Sequence, residues 1–147
     1  MGSEVTIRPA RIQDADAIAR LSDQLGYPAS REEVEERLAH ILGERDHAVY
    51  VAVSAQGEVV GWIHIYLCPL VEMALQAEIG GLVVEGRLRG RGIGQRLLER
   101  AERWAAERGC SAVMVRSNVV RERAHRFYAR LGYRLMKTQR VFTKRLV

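Results

Sequence analysis

The stretch Leu82-Val-Val-Glu-Gly-Arg-Leu-Arg-Gly-Arg-Gly-Ile-Gly-Gln-Arg-Leu-Leu98 decides the fold of this chain. It opens in an apolar run, Ile79 to Val84, and passes through a turn of glycine and arginine, Arg87 to Gly94. Beyond the turn, Ile93, Leu97, Leu98, Ala101, Trp104 and Ala105 recur on one face of a helix. Strand, glycine turn, helix start: that order aims backbone N–H groups and a positive helix end at one spot, which suits a phosphate. The arginines add fork-shaped donors. A phosphorylated ligand is the first expectation.

Two familiar phosphate loops fail by letter. A nucleoside-triphosphate loop needs Lys-Ser or Lys-Thr after its last glycine, and here Gln95-Arg96 follows Gly94. A dinucleotide fingerprint needs a third glycine at its sixth position, and counting from Gly90 that position is Gln95.

Outward from the loop, the pattern predicts an order β-α-α-β-β-β-α-β-α-β. Val5-Thr-Ile-Arg8 reads as a strand. Asp14 is placed to cap a helix carrying Ile18, Leu21 and Leu25, stopped by Gly26. Ser30-Arg-Glu-Glu33 is a capping box opening a helix with Val34, Leu38, Ile41 and Leu42 inward. Ala48–Val53 and Val59–Leu67 flank Gln56-Gly57 as a hairpin, and Ala74–Val84 leads into the loop. The loop helix stops at Gly109. Ala112–Val115 is a short buried strand, Arg121–Leu131 a helix closed by Gly132, and Arg134–Leu146 holds the last strand. This is an α/β chain with a mixed sheet flanked by helices, and with no composition break we expect one domain over residues 4–147.

Arg87-x-x-Gly90-x-Gly92 resembles the pyrophosphate loop of the GNAT family of N-acetyltransferases. Ser117-Asn118 followed by Ala124-His-Arg-Phe-Tyr-Ala-Arg-Leu-Gly-Tyr133 is similar to that family's closing motif, and the two stand in the family's order. The resemblance is strongest from Glu78 to Tyr133, and the element order extends it over nearly the whole chain. It implies acetyl-CoA as co-substrate, a primary amine of a small molecule or a protein as acceptor, and no metal. It places Leu82, Val83 and Val84 along the pantetheine arm, and Arg87, Arg89, Gly90, Arg91, Gly92, Ile93, Gly94 and Gln95 around the pyrophosphate. Asn118 falls where the family reaches the CoA arm; a turn or helix cap is the competing reading.

Transfer to an amine needs a base and an acid. At pH 7 only about one alkyl ammonium in ~2,500 is deprotonated, a deficit of roughly 4–5 kcal/mol. Glu78, on the strand entering the loop, is the candidate base through water, or else a contact to the substrate ammonium. Many relatives carry acidic residues at the positions of Gly80-Gly81, and this chain has neither; close backbone approach or a bulge is expected there. Tyr128 is the candidate acid for the departing thiolate. It shares a helical face with Ala124, Phe127 and Leu131, a stripe that must pack whatever the chemistry. His64 alternates with Trp62 and Tyr66 on a strand, and reads as a sheet histidine or a substrate-facing one. His40 and His47 carry no signal.

With 147 residues and 48% hydrophobic composition, the chain suits a globular core. No apolar run reaches a membrane span and no signal peptide is visible, so a cytoplasmic protein is expected. Cys68 and Cys110 read as free thiols. The net charge of +5 raises nucleic-acid binding. However, the arginines of 87–108 are interleaved with Glu99, Glu102 and Glu107, and no aromatic-rich basic strand is present, so phosphate binding by the small loop ranks above it. The acidic cluster Glu32, Glu33, Glu35 and Glu36 is a solvated helix face or a rim attracting a cationic amine. A non-catalytic acyl-CoA-binding sensor, a longer-acyl transferase and a homodimer stay open.

Overall fold

A computed structural model describes residues 4–117 and 120–147. By contacts the chain divides into two compact units, residues 1–115 and 116–147. The first carries β1 (Val5–Pro9), α1 (Ala15–Leu25), α2 (Arg31–Leu42), β2 (His47–Ser54), β3 (Val59–Cys68), β4 (Gln76–Val84), α3 (Ile93–Glu107) and β5 (Ala112–Val115). The second carries α4 (Glu122–Arg130).

The strands form one sheet in the order β1-β2-β3-β4-β5. The first three pairings are antiparallel, and β4–β5 is parallel, bridged by α3. Alternation along β3 sets the faces. Gly61 turns toward α3, where a Cβ would meet Leu97 Cδ1 at 3.1 Å, and its neighbour Trp62 packs with the cluster of α1 and α2. That cluster joins Ile18, Leu21, Val34 and Leu38 to Val49, Val51 and Val83 of the sheet. On the opposite face lies α3, its Ile93, Leu97, Leu98, Ala101, Trp104 and Ala105 all buried, the same six residues that the helical period picks out.

Local signals explain most boundaries. Ser30 and Glu33 exchange the expected bonds, Glu33 N–H to Ser30 Oγ at 3.0 Å and Ser30 N–H to Glu33 Oε1 at 2.8 Å. Gly26 ends α1 in the left-handed region at φ 94°. Leu42, expected inward, is 38% exposed.

Two expectations are corrected. Asp14 does not cap α1 with its side chain. Its buried carboxylate takes both Arg8 guanidinium nitrogens, at 2.8 and 2.9 Å, and the Arg11 N–H at 2.8 Å, because β1 passes close enough to supply a stronger, charged donor. The strand expected within Arg134–Leu146 is the second. These residues carry no regular structure, and most are exposed. A strand exists only through its ladder, and no partner is recorded for this segment among the described residues.

Two arginines of α3 and the one that follows it are tied to the fold. Arg96 donates to the Val5 carbonyl, Arg100 lies 4.5 Å over the Tyr50 ring, and Arg108 lies 4.8 Å over Trp104. The acidic face of α2 is likewise engaged locally, with Arg31–Glu35 at 3.1 Å and Arg37–Glu33 at 4.0 Å. Among the described residues no helix is long and apolar enough to cross a membrane.

Candidate active site

β4 is the strand on which the site is built. From Gln76 to Ile79 it pairs with β3 on one side and with Ala112–Val115 of β5 on the other. From Gly80 onward its ladder among the described residues is with β3 alone, so on those residues Gly80–Val84 has a backbone edge turned away from β3. The parting coincides with a register shift between His64 and Ile65, opposite Gly80. Gly80 is the extra residue of a bulge, and Gly80 and Gly81 present the same face.

The two glycines have a packing reason. A Cβ on Gly80 would stand 2.9 Å from His64 Nδ1, and one on Gly81 would stand 2.6 Å from Trp62 Cη2. Side chains of β3 occupy the space, so acidic residues do not fit there. Of the two readings of Gly80-Gly81, the bulge is the one found.

Past Val84 the chain makes a turn, Gly86–Leu88, and enters the glycine loop. Gly90 and Gly92 take φ of 83° and 81°, the left-handed region that a side chain makes costly, and a Cβ on either would meet no atom within 4 Å. Gly92 is the N-cap of α3 and contributes no side-chain cap; no acidic residue lies in the first turn. The first intrahelical bond runs from Arg96 N–H to Gly92 O at 3.1 Å, so the helix offers no acceptor to the N–H groups of Ile93, Gly94 and Gln95. The first-turn donors and the positive helix end are therefore without an intrahelical acceptor. Ile93 itself belongs to the core, at 1% exposed. Arg89 and Arg91 are exposed beside them. Arg87 makes an exposed 3.7 Å contact with Glu58.

The loop is anchored from α1, which the sequence did not announce. Arg20 donates to Glu85 Oε2 at 2.9 Å, Gln24 donates to Glu85 Oε1 at 3.0 Å, and the Gly86 N–H donates back to Gln24 Oε1 at 3.0 Å. The Gln24 amide and then Arg20 hold the Glu85 carboxyl below the usual carboxylate range.

Glu78 lies on β4 just before the bulge and is 8% exposed. Its cross-strand neighbours are Tyr66 on β3 and Met114 on β5. Tyr66 is opposite His47 of β2, so His47, Tyr66 and Glu78 form one row across three strands. His64 joins them, its Nε2 2.9 Å from His47 Nδ1. Burial first, and His47 second, push the His64 ring down to about 4. His47 gave no signal in sequence; its role is visible only through strand register.

In the second unit, Ala124, Phe127, Tyr128 and Leu131 form the half-buried stripe of α4, while His125 is exposed. The Tyr128 ring packs edge-on against Phe127 at 5.2 Å and Tyr133 at 5.6 Å. Burial raises its phenol, so it is protonated at neutral pH. Asn118 lies outside the described residues.

A strand edge feeding a glycine loop at a helix start can receive an extended, phosphate-bearing ligand. Residues 15–133 match the model of the acetyltransferase (GNAT) family. The chain belongs to that family. It is 30% identical over 145 residues to an aminoglycoside N(6')-acetyltransferase type 1 of Stenotrophomonas maltophilia, covering 96% of this chain and 92% of that one. It is 34% identical over 134 residues to an aminoalkylphosphonate N-acetyltransferase of Salmonella typhimurium, covering 87% and 84%. Among solved structures, an aminoglycoside N-acetyltransferase in complex with CoA superposes with a TM-score of 0.88 over 99% of this chain and 98% of that one, at 18% identity. That last likeness concerns the fold. The GNAT membership makes this chain an N-acetyltransferase that uses acetyl-CoA and acts on an amine.

Proposed function

We propose that this enzyme transfers acetyl directly from acetyl-CoA to the primary amine of a small cationic molecule, with residues 4–147 acting as one domain in the cytoplasm. The observation that carries the reading is the half-free β4 running into the Gly90–Gly92 loop and the uncapped start of α3. Backbone groups of Leu82, Val83 and Val84 hold the pantetheine arm as an added strand would. The N–H groups of Ile93, Gly94 and Gln95 receive the pyrophosphate, with Arg87, Arg89 and Arg91 supplying charge. The N–H of Val84 polarises the thioester carbonyl, and Asn118 reaches the CoA arm.

Glu78 draws the proton from the acceptor ammonium through water. The amine then attacks the thioester carbon, the tetrahedral adduct collapses, and the C–S bond breaks. Tyr128 gives its phenolic proton to the thiolate as it leaves, and the proton shed by the newly acetylated nitrogen restores the phenol. The raised phenol supports that role, since the donor is intact at working pH. No cysteine stands in either motif to carry the acetyl group, which supports direct transfer. A small-molecule acceptor is favoured because the aminoglycoside and aminoalkylphosphonate acetyltransferases, alike over most of their length, are both named for small amines.

Acetyl-CoA consumption measured across aminoglycosides, aminoalkylphosphonates, simple alkylamines and peptides tests the reading. Turnover with at least one small amine is expected; turnover with peptides alone would overturn the acceptor class. Tyr128→Phe should keep the packing and lower the single-turnover rate by about 10²–10⁴-fold; a parental rate would return Tyr128 to a packing role.

A further inference from the structure

We propose that His64 and His47 form a relay that carries the amine's proton from the acceptor site to solvent. This deepens the reading above and rests on it, since it takes Glu78 to stand at the acceptor amine.

Glu78 is buried, so a proton drawn onto it has little solvent of its own to leave by. On the same face of the sheet lies a pair of imidazoles joined end to end. Nε2 of His64 meets Nδ1 of His47 at 2.9 Å, and the rings stack with centroids 5.1 Å apart and 22° between planes. The bond uses one nitrogen of each ring. The outer nitrogens are Nδ1 of His64 and Nε2 of His47.

The two ends of the pair lie near exposed backbone. Nδ1 of His64 faces Gly80, where any side chain would cover it at 2.9 Å; Gly80 itself is exposed, at the point where β4 parts from β5. His47 begins β2, directly after the exposed residues 44–46. Tyr66 holds both rings, its centroid 5.4 Å from His47 and 5.6 Å from His64, and it is itself opposite Glu78. The ring of His64 is neutral at physiological pH, as a group that must accept a proton requires.

The step balances. Protonated Glu78 gives its proton to a neighbouring water as that water gives one of its own to Nδ1 of His64, so the carboxyl O–H bond breaks and the new N–H bond forms. The N–H bond at Nε2 of His64 breaks as its proton passes to Nδ1 of His47. The N–H bond at Nε2 of His47 breaks as its proton passes to bulk water. One proton enters and one leaves, and both rings end neutral. Exchange with water restores the first tautomers once products have departed.

The test uses the full chain, acetyl-CoA and the best amine of the panel. His47→Ala and His47→Gln are expected to lower kcat roughly tenfold to hundredfold, with KM for both substrates and Tm near parental. Added imidazole should restore His47→Ala and leave His47→Gln unchanged. Glutamine keeps a hydrogen bond to His64 but cannot pass a proton on. A His47→Gln enzyme at the parental rate would overturn the relay, because a hydrogen bond would then suffice. A slow His47→Ala enzyme that imidazole does not restore would overturn it as well. Glu78→Gln in the same assay separates the two failures: if it is slow while His47→Gln is not, amine activation stands and the relay falls. A parent enzyme that acetylates no amine sinks both.

Discussion

The two halves of β4, Gln76–Ile79 and Gly80–Val84, belong to one strand and differ in their neighbours. Gln76–Ile79 is laddered on both sides, and Ala77, Glu78 and Ile79 are buried. Gly80–Val84 is laddered to β3 alone among the described residues. The boundary between them is a bulge forced by His64 and Trp62, whose rings take the space that side chains at positions 80 and 81 would fill. The strand loses one neighbour where the two glycines admit the bulge. Substitutions in the first half should therefore read out as stability and proton chemistry, and those beyond the bulge as binding.

The largest effect expected is that of Glu78→Gln, the one residue of the paired half with chemistry assigned to it. Its kcat at neutral pH should fall by about 10²–10⁴-fold and recover partly at high pH, where free amine is abundant. Matching pH–rate profiles for variant and parent would leave Glu78 as a substrate contact or structural residue. Next is Ile79→Ala, which empties a buried site in the same half and should cost about 2–5 kcal/mol of unfolding free energy. Urea titration measures it. CoA affinity should stay parental, and a matching loss of affinity would erase the distinction between the halves.

At the boundary, His64 gives the paired half a signature in acid. Its ring is held below the ordinary histidine value near ~6.5 by burial and then by His47. Above that ordinary value neither state is charged and the contribution is whole. As pH falls, the unfolded chain binds a proton that the fold refuses, so stability declines until the pH reaches about 4. The loss should be on the order of 3 kcal/mol. The groups facing it are His47 on β2, Tyr66 on β3 and Glu78 on β4. Unfolding followed across that window should be flatter for His64→Gln than for the parent; equal slopes would mean that the ring is charged in the fold.

The smallest effect belongs to the loop. Gly92→Glu places a side chain in the left-handed region, at about 1–2 kcal/mol, and an anion where phosphate is expected. Calorimetry should show CoA affinity reduced at least tenfold in a folded variant, and an unchanged affinity would remove the loop from the CoA site.

Periodicity and local chemistry made much of this chain readable before any coordinates. The buried stripe of α3, the Ser30–Glu33 capping box, the left-handed glycines and the half-buried stripe of α4 all depend on residues a few positions apart, so the sequence by itself determined them. The last strand was not readable in this way, because alternation shows what a segment can do and a ladder needs a partner. Tertiary structure alone decided the rest. Asp14 had the letters of a helix cap, yet the charged donor of Arg8 on β1 claimed it. Arg20 and Gln24 meet Glu85 across more than sixty residues. His47 joins His64, and Gly80 opens beside them, only because the strands pair in one register with one bulge. Strand register is set by the whole buried face at once, and no short stretch of sequence contains it.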